Sequence, residues 1–276
     1  MKASSAIGVV VACLMIALGA TMEGSQVMAI LNMPALLIVL GGTFGATMAG
    51  TSFDSIKAIP ALYKKAFASE PLDLRGRVAE LVGYAERARR DGLLALDGEV
   101  GKIEDDFNRK GLQLVVDGTD PEMVAEVLES EVDAMARRHQ AATQPFEKAG
   151  GYAPTMGIVG TVFGLIHVLK QLDQPDTLGP AISAAFIATL LGVASANVVF
   201  LPIAARLKQL SMAEREFRAL TIEGILGIQA GDNPRVLNDK LMTYVPPAQR
   251  EDPAAGAKAS GAADASAEPD QARAAA

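Results

Sequence analysis

The charged residues of this 276-residue chain are concentrated in two of four successive blocks, and no other feature of the sequence limits its fold as much. Residues 1–50 carry two Asp, Glu, Lys or Arg, residues 51–148 carry 33, residues 149–202 carry three and residues 203–276 carry 19. Charge-poor stretches of that length, with a positive mean hydropathy, do not suit a soluble globular enzyme. They predict an integral membrane protein with sizeable aqueous parts. A net charge of -7 with no basic stripe leaves no footprint for nucleic acid. The single cysteine, Cys13, sits inside the first apolar run, which excludes an intramolecular disulfide and makes it a small buried hydrophobe.

Crossing the hydrocarbon takes about 20 mostly apolar residues. Four runs qualify: Ser4 to Thr21, Pro34 to Thr51, Tyr152 to Leu169 and Pro180 to Leu201. Lys2 before the first run and Gly19 and Ala20 after it would also suit a cleaved leader, but a short loop leads directly into a second run. Orientation follows the basic residues. The loop from Met22 to Met33 has none, whereas Lys57, Lys64, Lys65, Arg75 and Arg77 follow the second run, and Arg206 and Lys208 follow the fourth. The expected fold is therefore an all-α integral membrane protein of four transmembrane helices in two hairpins, with a helical cytoplasmic insert and both termini in the cytoplasm. The expected divisions are hairpin one at 1–51, the insert at 52–149, hairpin two at 150–202 and cytoplasmic C-terminal helices at 203–248.

The insert carries apolar residues at helical spacing: Val78, Leu81, Val82 and Ala85, then Val124, Val127, Leu128, Val132 and Met135. Thr119 and Asp120 ahead of Pro121 form an N-cap with proline at the first helical position. After the fourth run the pattern Phe217, Leu220, Ile222, Ile225 and Leu226 stops near Gly231, and Asn233-Pro234 opens a further helix. From 249 onward the chain is dominated by Ala, Gly, Ser, Pro and charged residues with no aromatic, which predicts a disordered tail.

No Asp, Glu, Lys or Arg lies within the four runs. Ionisable groups in a bilayer usually mark ion pathways, so this chain supplies no ion-binding carboxylate of its own. His167, near the outer end of run three, is either an interfacial imidazole or a proton relay. Runs three and four are rich in small residues at helical spacing, with Gly160 and Gly164 in one and Ala184, Ala188, Gly192 and Ala196 in the other. Such stripes let helix backbones approach closely, so one face of this hairpin is built to hold other helices. Thr161 and Thr189 lie beside the stripes, and each either bonds back to its own helix or lines a polar path.

Several motifs occur in a fixed order: Pro34-Ala-Leu-Leu-Ile-Val-Leu-Gly-Gly-Thr43, Ala153-Pro154 followed by Gly157-Ile-Val-Gly-Thr161, Leu201-Pro202, Gly231-Asp-Asn-Pro-Arg235 and Tyr244-Val-Pro246. Together they resemble the MotA/PomA family, the A subunits of the bacterial flagellar stator, over about residues 1–248. The resemblance implies an inner-membrane homopentamer around the transmembrane helices of a B subunit, each a single span carrying the ion-binding aspartate. It implies no other cofactor, and a rotor switch-complex protein as the second partner. Arg89-Arg90-Asp91-Gly92-Leu-Leu-Ala-Leu96-Asp97 looks like the family's rotor-facing segment, which puts its functional arginine on Arg89 and its acid on Asp97. Arg90 is adjacent, and Asp97 is one methylene shorter than the family's glutamate, so Glu99 is a candidate to share the role. Pro154 and Pro202 match the family's prolines at the cytoplasmic ends of runs three and four. They either couple membrane movement to the insert or only set helix direction.

The resemblance also bears on the coupling ion, Na+ or H+. Sodium-type members tend to carry threonine at the Thr161 position, and sodium must exchange hydration for oxygen ligands that Thr161 and Thr189 could supply. Three other functions compete with the stator reading. An ExbB/TolQ-type energiser typically has three spans, an autonomous channel or transporter would want charges of its own in the membrane, and a scaffold would need no ion coupling.

Overall fold

The computed structural model describes residues 2–24, 32–68 and 71–250, with side chains of the first helix described from Ile7. Within them the fold is all-helical, with no strand. Residues 25–31 of the expected outer loop and residues 251–276 of the expected disordered tail lie outside the described residues. In chain order the principal helices are α1 (Lys2–Met22), α2 (Met33–Ala49), α3 (Ile59–Ala68), α4 (Leu74–Asp91), α5 (Asp106–Val116), α6 (Pro121–Leu169), α7 (Pro175–Ala230) and α8 (Pro234–Leu241). By length and composition α6 and α7 are long and apolar enough to cross a membrane, while Ile7–Met22 and Met33–Ala49 are shorter apolar helices.

The chain forms two compact units that cut across the expected divisions. One is Met1–Pro71 with Asp133–Arg215, and the other is Leu72–Val132 with Glu216–Ala276. The insert therefore does not close a core by itself. Residues 133–149 belong with the apolar helices, and the segment from Glu216 completes the insert's core. Periodicity identifies an apolar face but does not identify the helix that covers it.

In the second unit the expected stripe of α4 (Val78, Leu81, Ala85) packs with Leu112 and Val115 of α5, Val124 and Leu128 of α6, and Leu220, Ile225 and Ile228 of α7. Glycine allows close approaches here: a Cβ on Gly224 would lie 2.6 Å from Leu81 Cδ1. Side-chain caps start the helices: Asp73 Oδ1 accepts from the Gly76 amide (2.9 Å), Asp105 Oδ1 from Phe107 (3.1 Å), Asp120 Oδ1 from Glu122 (3.0 Å) and Asn233 Oδ1 from Arg235 (3.0 Å). α7 ends at Gly231, whose φ of 72° only glycine adopts readily. The Asp232 amide donates to Gly227 O and that of Gly231 to Ile228 O, which satisfies the last carbonyls. Arg77 is buried beside this core, with Nη2 2.5 Å from Asp105 Oδ2 and its guanidinium 4.8 Å from the Phe217 ring centroid.

In the first unit α2 buries every fourth residue, namely Ala35, Val39, Thr43 and Thr47. Ala35 and Val39 form a small core with Ala188 of α7. α3 turns Ala66 onto Phe146, Ile203, Ala204 and Leu207, and Tyr63 meets Phe146 edge to face at 5.3 Å. The prolines interrupt neither long helix. Pro145 and Pro154 both lie inside α6. Pro202 follows a π-helical turn, Ser195–Phe200, in which the Leu201 amide reaches back five residues to Ala196 O. A wider turn there accommodates a residue that has no amide to donate. Cys13 corrects the sequence reading: it is exposed in this chain rather than buried, on a helix whose Val10, Val11, Leu14 and Met15 are also exposed.

Ile225 is fully buried where α7 meets the insert. Ile225→Ala is expected to cost about 2–5 kcal/mol, read as a lower Tm of the purified protein with the helical signal of α1 and α2 retained.

Candidate functional site

The closest helix contact around the candidate site lies between α6 and α7, and it is made by backbone. A Cβ on Gly192 would lie 2.5 Å from Ala153 O and 3.0 Å from Gly157 Cα, and one on Gly157 would lie 2.9 Å from Ala188 O. Further along, Gly160 faces Ala188 and Gly164 faces Ala185. The small-residue stripes therefore mate with each other inside one chain. The helix held by Gly192 and Ala188 is this chain's own α6, which the sequence pattern did not specify.

That approach brings Thr161 and Thr189 together. Thr161 Oγ1 is placed to donate to Gly157 O (3.0 Å) or Ala185 O (3.1 Å), and the two hydroxyls are hydrogen-bonded to each other. Thr161 thus reaches the back-bonding carbonyl of its own helix and also contacts Ala185 O and Thr189 of the next helix. With the Thr161 proton given to a carbonyl, the Thr189 hydroxyl donates to Thr161, and the Thr189 oxygen keeps its own lone pairs. Two hydroxyls and two carbonyls thus gather four oxygens in an otherwise apolar hairpin.

Two polar residues escaped the sequence reading. Thr43 and Thr47 of α2 are 1% and 3% exposed, and neither hydroxyl has a hydrogen-bond partner among the described residues. Their i, i+4 spacing in line with Ala35 and Val39 was the available signal. His167 is exposed in the last turn of α6 and, with Asn32, edges an otherwise mostly apolar recess against α2 and α7.

The segment from Arg89 to Asp97 is shaped by one glycine. α4 ends at Asp91, Gly92 turns the chain at φ 86°, a 3-10 turn covers Leu93–Leu96, and a short helix starts at Asp97. Leu96 is buried and anchors the turn, while Arg89, Arg90 and Asp97 stay exposed. Among the described residues neither Arg89 nor Asp97 has an opposite charge within 4 Å. The other two candidates are engaged. Glu99 lies 3.1 Å from Lys102 and 2.5 Å from Arg87, and these bonds hold its carboxyl below the usual carboxylate range. Arg90 pairs with Asp91 at 3.0 Å, which raises the guanidinium and lowers the carboxyl. Leu94, between the two unengaged charges in sequence, is 76% exposed, an apolar side chain that charge counting did not single out.

A helical membrane-type hairpin with a small oxygen cluster and a separate charged helical unit describes a component of an ion-driven machine. Family models agree: the MotA/TolQ/ExbB proton channel family matches residues 99–219, and the motility protein A N-terminal model matches residues 6–83. Motility protein A of Bacillus subtilis (strain 168) is 38% identical over 91% of this chain and 93% of its own length. Among solved structures, C. jejuni MotAB superposes with a TM-score of 0.86 at 33% identity, covering 92% of this chain and 98% of that one. The flagellar MotAB stator complex from Bacillus subtilis gives 0.84 at 38% identity, covering 90% and 98%. The chain belongs to the motility protein A family.

The Gly192 contact yields a graded expectation. Gly192→Ala should weaken the hairpin and Gly192→Leu should prevent its closure, read as loss of the monodisperse peak in detergent size-exclusion of the tagged chain. A normal elution profile for Gly192→Leu would show that the approach is dispensable.

Proposed function

We propose that this chain is the A subunit of a flagellar stator, which with a B subunit turns ion flow into torque on the rotor. The observation that carries this is the alignment of nine-tenths of the chain with the A-type subunits of two MotAB structures, at 33% and 38% identity. The match of residues 6–83 to the motility protein A N-terminal model favours this over an ExbB/TolQ-type energiser.

In this reading all four apolar runs cross the bacterial inner membrane and both termini are cytoplasmic. Support comes from the surfaces of the helices as well as from their composition. Val10, Leu14 and Leu18 of α1, Ile158, Phe163 and Ile166 of α6, and Phe186, Leu190 and Val193 of α7 are all exposed. Apolar side chains exposed in that density suit lipid or neighbouring transmembrane helices rather than water. The chain works as a ring, a pentamer by family resemblance, around a B partner whose single transmembrane helix supplies the aspartate missing from these runs. An autonomous channel lacks support, since the oxygen cluster at Thr161 and Thr189 carries no charge.

The coupling ion in this proposal is sodium. Its support is the oxygen set of Thr161, Thr189, Gly157 O and Ala185 O, hard ligands of the kind a cation accepts in place of water. The partner's aspartate would complete the set. Arg89 and Asp97 act on the rotor, since they are exposed and not engaged within the chain, and the exposed Leu94 lies between them in sequence. Arg90 and Glu99 shape that surface through their ion pairs. Pro154 and Pro202 mark where α6 and α7 pass from apolar to charged sequence, and the π-turn before Pro202 is the more deformable of the two places.

Two expectations separate these parts. Arg89→Glu should leave expression and assembly intact, because exposed substitutions change stability by only about 0.5 kcal/mol, yet it should reduce swimming. A charge reversal on the rotor protein should restore part of the loss, and unchanged swimming of Arg89→Glu, Asp97→Lys would remove the assignment. For the ion, motility is measured with sodium replaced by potassium at constant proton motive force. Sodium coupling requires swimming to stop and Thr161→Ala to raise the sodium needed, whereas unaffected swimming means that protons drive the motor.

A further inference from the structure

Arg206 follows the last apolar residues of the fourth run, at the start of the charged part of α7. It is 8% exposed, and the one protein acceptor it engages among the described residues is Ala66 O, 3.5 Å from Nε. That carbonyl lies in the last turn of α3, whose negative dipole end offsets part of the charge. The other guanidinium donors have no such partner. Among the described residues no carboxylate comes within 4 Å, and the acids nearest along the long helices are engaged elsewhere, Glu147 with Lys208 and Glu214 with Lys65. A buried cation in that state is costly unless an anion completes it.

The surroundings narrow the choice of anion. Arg206 shares a small recess with Val9 of α1, Ala66 and Phe67 of α3, and Pro202 and Ile203 of α7. Val9 is half-buried on the side of α1 opposite the exposed Ile7, Val10 and Val11, and with Phe67, Pro202 and Ile203 it gives the guanidinium apolar walls. α3 is a short amphipathic helix with Lys64 exposed and Phe67 37% exposed, the pattern of a helix lying in a membrane interface. A free anion would gain nothing from those apolar walls. A phospholipid would place its phosphate on Arg206 and its acyl chains along α1.

We infer that Arg206, held in place by the Ala66 carbonyl, binds the phosphate of an anionic phospholipid of the cytoplasmic leaflet through its remaining guanidinium donors. The guanidinium supplies two parallel donors to the phosphate oxygens, a geometry lysine cannot offer. Nearby Lys64 adds long-range attraction to the anionic surface without being part of the site. This site rests on the membrane reading given above and goes beyond the torque-generating role, because it concerns how the ring is seated in its lipid.

The test uses the full chain purified with its B partner. Native mass spectrometry counts retained phosphatidylglycerol for the wild type, Arg206→Lys, Arg206→Gln and the exposed control Lys64→Gln. Retention should fall roughly tenfold or more in Arg206→Gln, as the loss of a charge-assisted hydrogen bond implies. It should fall less in Arg206→Lys and stay unchanged in Lys64→Gln. In case Arg206→Gln does not fold, the wild type is also crosslinked with a headgroup-photoactivatable phosphatidylglycerol, and adducts are expected on the peptides containing Val9, Phe67 and Arg206. Equal retention in all variants, or adducts on the apolar helices that avoid these peptides, overturns the site. Displacement of the lipid by excess inorganic phosphate would instead mark a free-anion site and also overturns it. The absence of adducts from every apolar helix would undo the membrane reading itself.

Discussion

The approach of α6 to α7 at Gly157 and Gly192 is the contact on which the candidate ion site depends. A side chain at either position would meet backbone atoms within 3 Å, so only hydrogen lets the two helices come this close. Once they do, the remaining small residues mate in register and Thr161 meets Thr189 across the seam. In an apolar surrounding, burial of hydrophobic surface distinguishes poorly between one helix partner and another, so packing fit and a few hydrogen bonds decide. The glycines supply the fit and the threonines supply the bonds.

Charge is handled in opposite ways in the apolar runs and in the unit around α4. The apolar runs contain no Asp, Glu, Lys or Arg. The unit formed around α4, α5 and the end of α7 uses charge both inside and outside. Arg77 is held by Asp105 and the face of Phe217, and Asn108 Nδ2 donates to Glu80 Oε1 at 3.0 Å. This buried network fixes α4 and α5, and α4 in turn carries Arg89 to the surface. The exposed charges divide further. Those paired within the chain, such as Arg90 with Asp91 and Glu99 with Lys102 and Arg87, shape the local surface, while Arg89 and Asp97 keep their charge available to a partner.

Buried polar groups without partners are uncommon enough to carry meaning. Among the described residues the Thr43 and Thr47 hydroxyls on α2 are buried without a partner in one unit, and Asn108 Oδ1 and Gln229 Oε1 in the other, while Arg206 on α7 engages only Ala66 O. The π-helical turns of Leu37–Gly41 and Ser195–Phe200 lie in α2 and α7. Such turns shift the register of the following residues and are frequent where function needs an irregular helix. Among the described residues the π-helical turns therefore fall only in helices that carry the apolar runs, whereas unpartnered buried polar atoms occur in both units.

Much of this was legible in the residues because it depends on local chemistry. Charge-free runs, the caps at Asp120 and Asn233, the glycine that ends α7 and the helical stripes of α4 and α6 each follow from neighbours within a few positions. The absence of an ion-binding carboxylate was legible for the same reason. What the residues could not determine is which apolar face covers which, since every such face is complementary to many others. Tertiary structure alone decided that the insert completes its core with the segment after Glu216 and that the Gly192 stripe mates with the same chain's α6. It also decided that Cys13 faces outward and that Arg206 ends beside a helix terminus rather than a carboxylate. Those outcomes depend on packing across long sequence separations, where shape and close contact select one arrangement among many that the pattern allows.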